Sequence, residues 1–253
     1  MFCIVLSKYD NLAEAAEKIV LACQRKFALC SISYVSDLVS SDLTGEDVLY
    51  FLTNDPLLPE IAKGLNSTGA KVLNRDFLAR HYRKSKVLSA SVLLGIRTPQ
   101  RWMLSQFDQG GQPKFPLYLK SEKHGKALRC ASKDELATEL DKLDWETGWY
   151  LEEAIDGAGF VTEKMYLIDG SIYRPYEDKR EGDIERYGEL TVLAEALGLD
   201  LASIDIIIGD SGYLVIDINH CPALFNSGLA RESLVDLILR ITSEHSPRYV
   251  VKL

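Results

Sequence analysis

Two strongly apolar segments lie close together in the sequence, Ser203-Ile204-Asp205-Ile206-Ile207-Ile208 and Leu214-Val215-Ile216-Asp217-Ile218-Asn219, with the turn Gly209-Asp210-Ser211-Gly212 between them. This pattern predicts two buried strands joined in a hairpin. Asp205, Asp217 and Asn219 interrupt the apolar runs, and the last two share one strand face because they are two residues apart. Three such oxygen-bearing groups can converge on Mg²⁺, a hard cation that completes its shell with phosphate oxygens and water. The alternative is a hairpin whose polar residues simply face solvent.

This hairpin resembles the metal-binding end of the ATP-grasp superfamily, most closely its branch of small glutamate ligases that modify ribosomal protein tails. The segment Asp217-Ile218-Asn219, followed by Pro222, is similar to the family motif Glu-x-Asn-x-x-Pro, with Asp217 in place of the usual Glu. The resemblance covers roughly Lys71 to Ile241 and implies that Asp205, Asp217 and Asn219 are the Mg²⁺ ligands. Because Asp is one methylene shorter than Glu, the bridging geometry is expected to differ.

Two lysines match the order of the family's nucleotide-binding lysines. Lys84 precedes Gly95-Ile96-Arg97-Thr98-Pro99, with Lys86 as a competitor for the same role, and Lys120 ends the apolar strand Pro116-Leu117-Tyr118-Leu119-Lys120. Lysine presents compact positive charge, which suits the phosphates of a nucleotide. A solvated helix surface explains Lys84 equally well, whereas a lysine directly after an apolar strand favours a functional role for Lys120.

After Lys120 the family has a glycine-rich loop that closes over the phosphates. The corresponding stretch here is Ser121-Glu122-Lys123-His124-Gly125-Lys126, which contains one glycine. The resemblance implies phosphate contacts from Lys123, His124 and Gly125. Either positive side chains partly replace the backbone amides of the usual loop, or the loop closes more slowly and less tightly.

The remaining nucleotide contacts are implied by the resemblance alone. Leu151-Glu152-Glu153-Ala154-Ile155 resembles the hinge whose backbone pairs with the adenine edge, which implicates Glu152, Glu153, Ala154 and Ile155. Thr162 and Glu163 lie near the position of the acidic residue that holds the ribose. Ile216 matches the apolar residue beneath the adenine ring, and an ordinary core role explains it equally well.

A mixed-charge stretch, residues 174–183, lies between a predicted hairpin and the metal strands. In related ligases a basic residue from this region stabilises the charge that develops as an acyl phosphate forms and is attacked. Lys179, Arg180 and Arg174 are the candidates for this catalytic role. A solvated loop is the commoner explanation for any one of them.

The predicted fold is α/β (α+β): an ATP-grasp fold with a small N-terminal α/β layer and the nucleotide held between two α+β modules. The predicted domains are residues 1–75, the central ATP-grasp lid module 76–152 and the C-terminal module 153–253 with the metal site. Predicted strands are Phe2–Leu6, Asp47–Leu52, Lys71–Leu73, Phe115–Lys120, Trp149–Ala154, a Lys164–Ile168 and Ser171–Tyr173 hairpin around Asp169-Gly170, Ala202–Ile208 and Tyr213–Ile218. Predicted helices are a segment through Cys23 with Asp10 as N-cap, Leu57–Leu65, Arg75–Leu94, Lys133–Leu143, Arg186–Leu197 and Leu229–Ser243.

The composition of the 253-residue chain excludes several classes of protein. Its 29 Lys plus Arg against 37 Asp plus Glu give a net charge of −8, which argues against sequence-independent DNA binding. With 47% hydrophobic residues, global disorder is not expected. The apolar runs are far shorter than the roughly 20 residues of a membrane span. The five cysteines form no C-x-x-C pair, so a reducing cytoplasm is the expected location.

Together these features predict an ATP- and Mg²⁺-dependent ligase that joins a small-molecule or peptide carboxylate to an amine through an acyl phosphate. No nucleic acid or membrane partner is expected, and a homo-oligomer is compatible with the sequence. Two alternatives stay open. One is an ATP-dependent phosphotransferase with the same nucleotide site. The other is a nucleotide-binding module with degraded catalysis, suggested by Asp217 and the glycine-poor loop.

Overall fold

The fold is described from a computed structural model. It describes residues 2–7, 12–26, 30–38, 43, 47–80, 82–104, 113–122, 127–143, 148–155, 159–175, 182–224 and 227–243. None of the helices in these ranges is both long and apolar enough to cross a membrane.

Strands and helices alternate along most of the chain, which confirms the predicted mixture of α and β structure. In chain order the elements are β1 (Phe2–Leu6), α1 (Ala13–Arg25), β2 (Cys30–Tyr34), α2 (Val35–Leu38), β3 (Val48–Phe51), α3 (Leu58–Gly64), a 3₁₀ turn (Leu65–Ser67), β4 (Lys71–Val72), α4 (Arg75–Arg80), α5 (Lys84–Leu93), β5 (Arg101–Met103), β6 (Leu117–Ser121), β7 (Ala127–Cys130), α6 (Lys133–Leu140), β8 (Trp149–Glu153), β9 (Val161–Ile168), β10 (Ser171–Tyr173), α7 (Gly182–Leu197), β11 (Leu201–Gly209), β12 (Gly212–Asn219) and α8 (Gly228–Ser243).

The chain forms two compact units that interleave in the sequence. The first comprises Met1–Tyr82, Lys164–Ile204 and Ile218–Leu253, and the second comprises Arg83–Glu163 and Asp205–Asp217. The predicted boundaries at residues 75 and 152 instead cut the chain into three consecutive pieces. That three-domain division stays a prediction.

The first unit is built on a parallel sheet with the strand order β2-β1-β3-β4. All five residues of β1 are buried, as expected for a central strand of a parallel sheet. Helix α1 buries Ala15, Ala16, Ile19 and Cys23, a spacing that places them on one helical face. Residues of β1, β3, α1 and α8 share one apolar core, so the N-terminal layer and the last helix belong to one packed unit.

The second unit contains an antiparallel sheet with the order β5-β8-β6-β7. One face of this sheet is apolar, because Leu117, Leu119 and Leu151 are buried in one core with Leu136 of α6. Successive strand residues point to opposite faces, so Lys120 of β6 and Glu152 of β8 lie on the other face. This sheet therefore separates an apolar core from a charged surface.

The third sheet has the order β10-β9-β11-β12. The division between the two units falls within three of its strands, after Glu163, Ile204 and Asp217. The predicted hairpin is confirmed, with Ser171 paired to Ile168 across the turn. Asp169 and Gly170 have φ angles of 51° and 70°, the left-handed pair that a two-residue type I′ turn requires.

The predicted helix Arg75–Leu94 is wrong as a single element. The structure has α4 and α5 instead, and Arg83 between them is extended at φ −84° and ψ 133°. Tyr82 Oη donates to the Asp55 carbonyl, which holds the chain in the break. The predicted end of α5 is confirmed, because Gly95 adopts φ +76°, a conformation that glycine accepts without strain.

Candidate active site

A buried carboxylate lies between two cations on the charged face of the second unit's sheet. Glu152 is 2% exposed; its Oε2 accepts from Arg101 Nε at 2.7 Å and its Oε1 accepts from Lys120 Nζ. Strand register brings these groups together. Arg101 on β5 lies directly opposite Glu152, and on the other side Tyr118 of β6 lies opposite it. Lys120 is two residues beyond Tyr118, on the same face of β6. The predicted nucleotide lysine Lys120 is thus held by an acidic residue of the predicted hinge.

Tyr150 lies two residues before Glu152 on the same strand face. It is buried, and the guanidinium of Arg101 lies 5.8 Å from its ring centroid. Burial raises the pKa of the Tyr150 phenol, and the Glu152 carboxylate raises it further. The phenol is therefore neutral at physiological pH and packs beneath the charged face of the sheet. A cleft of about 410 Å³ lies beside it, lined in part by Arg101, Trp102 and Ser85.

The other predicted nucleotide lysine is paired with a predicted metal ligand. Lys84 Nζ donates to Asp217 Oδ2 at 3.0 Å, and both side chains are half-buried. At the same helix end, the Ser85 amide donates to Glu122 Oε2 at 3.0 Å. Helix α5 has no side-chain cap at Arg83, so the Glu122 carboxylate serves one of its amides that lack an intrahelical acceptor.

The predicted metal ligands are all half-buried on strands. Asp205 lies on β11 and Asp217 on β12, both in the second unit. Asn219 is two residues further along β12, in the first unit. No group of three His, Cys, Asp or Glu side chains suited to a metal is present among the residues described. Carboxylate and amide oxygens suit Mg²⁺ that also binds phosphate oxygens and water, so the chemistry of these three side chains fits the predicted ion.

The segment that follows Asp217 is fixed by residues of the N-terminal layer in the first unit. Asn219 Oδ1 accepts from the Cys221 amide at 3.0 Å, and the Cys221 thiol lies 3.1 Å from both this oxygen and Asn54 Oδ1. Tyr50 Oη donates to the Pro222 carbonyl at 2.9 Å. An amide oxygen has two lone pairs: the Cys221 amide uses one on Asn219, and the Cys221 thiol, which lies equally close to Asn54, is the weak donor next to the other.

Asn74 also holds this segment. Its Nδ2 donates to the carbonyls of His220 and Leu201 at 2.7 and 2.8 Å, while its Oδ1 accepts from the amides of Asp200 and Leu201. Its own amide donates to Asp200 Oδ2 at 2.6 Å. One buried side chain thus joins β4, β11 and the end of β12 within the first unit.

The predicted hinge amides are partly occupied. The Glu153 amide donates to the Gln100 carbonyl at 2.8 Å, and the Ala154 amide donates to the Pro116 carbonyl at 3.3 Å. A nucleotide base would therefore have to use carbonyl groups of this stretch, or the amide of Ile155 or a later residue. Further along, Thr162 is exposed, and Glu163 and Ile216 are half-buried, so each has surface that a ligand could reach.

Of the three candidates for the catalytic cation, the structure describes Arg174. Its Nη2 donates to the hydroxyl of Tyr187 at 3.4 Å, and its guanidinium lies 5.9 Å from that ring's centroid. Tyr187 is buried at a non-helical position inside α7. Lys179 and Arg180 lie outside the described residues, as do Lys123, His124 and Gly125 of the predicted loop and the predicted N-cap Asp10.

The sequence interpretation missed Arg101 and the charge of Glu152. Glu152 was assigned a backbone role, whereas its side chain holds two cations. One signal was present in the sequence. Arg101 directly precedes the apolar run Trp102-Met103-Leu104, and a cation at the edge of an apolar segment needs a charged partner if it is buried. The strand Arg101–Met103 is only three residues long, so it was not recognised and its register could not be used.

Solved ATP-grasp proteins are similar to the chain over nearly its whole length. D-alanine–D-alanine ligase from Bacillus anthracis, complexed with ATP, has a TM-score of 0.73 and 14% identity, covering 96% of this chain and 97% of that one. The RimK domain ATP-grasp protein from Sphaerobacter thermophilus has a TM-score of 0.70 and 14% identity, covering 94% and 100%. ATP-grasp ligase PsnB, complexed with a precursor peptide and AMPPNP, has a TM-score of 0.65 and 13% identity, covering 95% and 97%.

No protein-family model matches the sequence, and no curated protein matches it. The structural similarity at these low identities establishes the fold: the protein has the ATP-grasp fold, as the sequence predicted. A fold alone does not fix an activity, so the activity has to be argued from the residues of the site.

Proposed function

We propose that the protein is an ATP- and Mg²⁺-dependent ligase that joins a carboxylate to an amine. The observation that carries this proposal is the pairing of both predicted nucleotide lysines with acidic residues, Lys84 with Asp217 and Lys120 with Glu152, in a chain with the ATP-grasp fold. Each carboxylate holds its lysine in place while no nucleotide is bound, and the lysine can exchange that carboxylate for a phosphate oxygen when the nucleotide binds. The three similar solved proteins described above include two ligases, which supports the same class of reaction.

In the proposed reaction a substrate carboxylate attacks the γ-phosphate of ATP and gives an acyl phosphate and ADP. An amine then attacks the acyl carbon, and inorganic phosphate leaves as the amide forms. Neither step requires a strong acid or base from the protein, so positioning and charge neutralisation supply the catalysis. Bound Mg²⁺ would neutralise phosphate charge and align the reacting oxygens.

The chain's own residues would divide this work. Lys84 and Lys120 would contact the phosphates, while Asp205, Asp217 and Asn219 would hold Mg²⁺. The residues 152–155, with Thr162, Glu163 and Ile216, would bind the adenosine part. Arg174, held by Tyr187, would stabilise the charge on the acyl group, with Lys179 and Arg180 as the other candidates. Lys123, His124 and Gly125 would cover the phosphates.

The substrates are proposed by class only. D-alanine–D-alanine ligase is named for an amino acid substrate, and PsnB was solved with a precursor peptide. We therefore propose an amino acid or peptide carboxylate and an amine of the same kind.

The test is ADP and phosphate release from ATP and Mg²⁺ in the presence of paired amino acid and peptide substrates, with mass spectrometry of the product. Amide formation with stoichiometric ADP supports the ligase. A phosphorylated product without an amide would instead identify a phosphotransferase. Nucleotide binding without turnover for every pair would identify a binding module, and AMP release would contradict the acyl-phosphate route.

A further inference from the structure

Glu152 accepts from two cations at once, Arg101 on one oxygen and Lys120 on the other. We propose that Arg101 is a positioning residue: it neutralises the buried Glu152 carboxylate so that Lys120 can leave this carboxylate and bind the nucleotide phosphates. The inference rests on the proposed function, because it assigns Lys120 to the phosphates.

A buried charge without a partner is costly inside a protein. The carboxylate of Glu152 is 2% exposed, so water cannot solvate it, and a buried ion without a partner is strongly unfavourable. If Lys120 were its single partner, every phosphate contact made by Lys120 would leave this buried anion uncompensated. A second cation on the other oxygen removes that cost.

Arg101 is suited to remain in place while Lys120 moves. It lies directly opposite Glu152 in the β5–β8 pairing, and its Nε is 2.7 Å from Oε2. Its guanidinium also lies near the Tyr150 ring, at 5.8 Å from the centroid. Arginine keeps its charge at any relevant pH, whereas lysine is a point charge on a flexible stem that can change partners.

A competing explanation is that Arg101 itself contacts the nucleotide. Its Nη2 is buried and has no hydrogen-bond partner in the part of the chain that the structure describes. The two explanations differ in their dependence on Glu152. If Arg101 acts by neutralising Glu152, its substitution no longer affects nucleotide affinity once Glu152 is neutral. If Arg101 contacts the nucleotide directly, its substitution weakens binding in either case.

The experiment measures the affinity of AMPPNP with Mg²⁺ by calorimetry for the wild type and the variants Arg101→Met, Arg101→Lys, Glu152→Gln and Arg101→Met/Glu152→Gln. Thermal unfolding of each variant checks that it is folded. A crystal structure of the wild type with AMPPNP and Mg²⁺ provides a measurement that needs no substitution.

Arg101→Met is expected to weaken binding at least about tenfold, since Lys120 must then leave a buried anion. Arg101→Lys keeps the charge that neutralises Glu152, so it is expected to lose clearly less affinity than Arg101→Met. Against the Glu152→Gln background, Arg101→Met is expected to change affinity less than about twofold. In the crystal structure Lys120 is expected on the phosphates and Arg101 on Glu152.

Equal loss from Arg101→Met in both backgrounds would overturn the inference in favour of direct contact, as would a crystal structure with Arg101 on the nucleotide or Lys120 still on Glu152. Unchanged affinity of folded Arg101→Met would also overturn it. If that variant does not fold, the comparison within the Glu152→Gln background and the crystal structure decide. A wild type that does not bind AMPPNP contradicts the proposed function itself, which is a distinct result.

Discussion

Lys84 at the start of α5 and Asp217 near the end of β12 form an ion pair, with Nζ 3.0 Å from Oδ2. The sequence assigned one to the phosphates and the other to the metal, and 133 positions separate them. Their contact links the two predicted parts of one site within the second unit. A bound Mg²⁺ would compete with Lys84 for this carboxylate, so the pair predicts that both residues change partners when nucleotide and metal bind.

The first prediction distinguishes Lys84 from Lys86, the two candidates on α5. Lys84→Met is expected to weaken Mg-AMPPNP binding about tenfold or more, because a charge-assisted hydrogen bond contributes about 1.5–3 kcal/mol. Lys86 is exposed, so Lys86→Met serves as the matched control and is expected to leave affinity unchanged. The free energy of unfolding of each variant should stay within about 1 kcal/mol of the wild-type value. An equal effect of the two substitutions would remove Lys84 from the phosphate site.

The second prediction concerns the metal. Asp217→Asn keeps the size of the side chain and removes its charge, so Mg²⁺-dependent turnover should fall by at least about tenfold with little loss of thermal stability. Asp217→Glu restores the residue of the family motif and is expected to be tolerated or to raise activity. Asp210→Asn, in the exposed turn of the same hairpin, is the control.

The measurement is phosphate release titrated with Mg²⁺, with EDTA as the metal-free reference. Chelation is expected to abolish turnover of the wild type. An Asp217→Asn protein with the Mg²⁺ dependence of the wild type would remove this residue from the metal site.

How much of the fold the sequence predicts depends on local signals. The Asp169-Gly170 turn and the Gly95 helix end were predicted because each needs a left-handed backbone that few residues adopt. The strands β2, β5 and β7 were missed, since Cys30–Tyr34 is only half-buried and Arg101–Met103 and Ala127–Cys130 are short. The break between α4 and α5 depends on a distant bond from Tyr82 to Asp55, which no local pattern encodes.

The site was predicted unevenly for the same reason. Lys120 and the Asp217-Ile218-Asn219 segment stand out because they follow or interrupt apolar runs, whereas Lys84 was assigned from the family resemblance alone. The pairing of Glu152 with Lys120 and Arg101 depends on strand register, which fixes which residues face each other across a sheet. Predicting that Arg101 faces Glu152 requires the strand β5, which was not among the predicted strands. Charge partners of a site are therefore harder to predict than its motif residues.

The third prediction concerns Tyr50, whose hydroxyl binds the Pro222 carbonyl next to the metal segment. Tyr50→Phe leaves this carbonyl unpaired and is expected to cost about 1–2 kcal/mol in urea unfolding at pH 7. Burial raises the pKa of the Tyr50 phenol well above its ordinary value of 10.0. The folded state therefore keeps this proton above pH 10 while the unfolded state loses it, so this group's contribution to stability falls as the pH rises.

Tyr50→Phe should accordingly show a shallower loss of stability than the wild type between pH 9.5 and 11. Tyr118→Phe, at a half-buried position in the second unit, is the control. Parallel pH profiles for Tyr50→Phe and the wild type would contradict the assignment.

The last prediction concerns Asn74, the buried side chain that joins β4 to Leu201 and to His220 beside the metal segment. Asn74→Ala removes four side-chain hydrogen bonds and leaves buried carbonyls and amides without partners, so it should destabilise the protein by about 3 kcal/mol or more in urea unfolding.

Part of that loss comes from the backbone, because Asn74 has φ 59° and alanine is strained there. Asp169→Ala gives an upper bound on this part: Asp169 has φ 51° on an exposed turn, and the substitution also removes an exposed ion pair with Arg240 that contributes little, so it should cost about 1 kcal/mol. If the hydrogen bonds fix the metal segment, Asn74→Ala should also raise the Mg²⁺ concentration needed for half-maximal turnover, whereas Asp169→Ala should not. A loss of stability no larger than that of Asp169→Ala would show that the side chain of Asn74 contributes little.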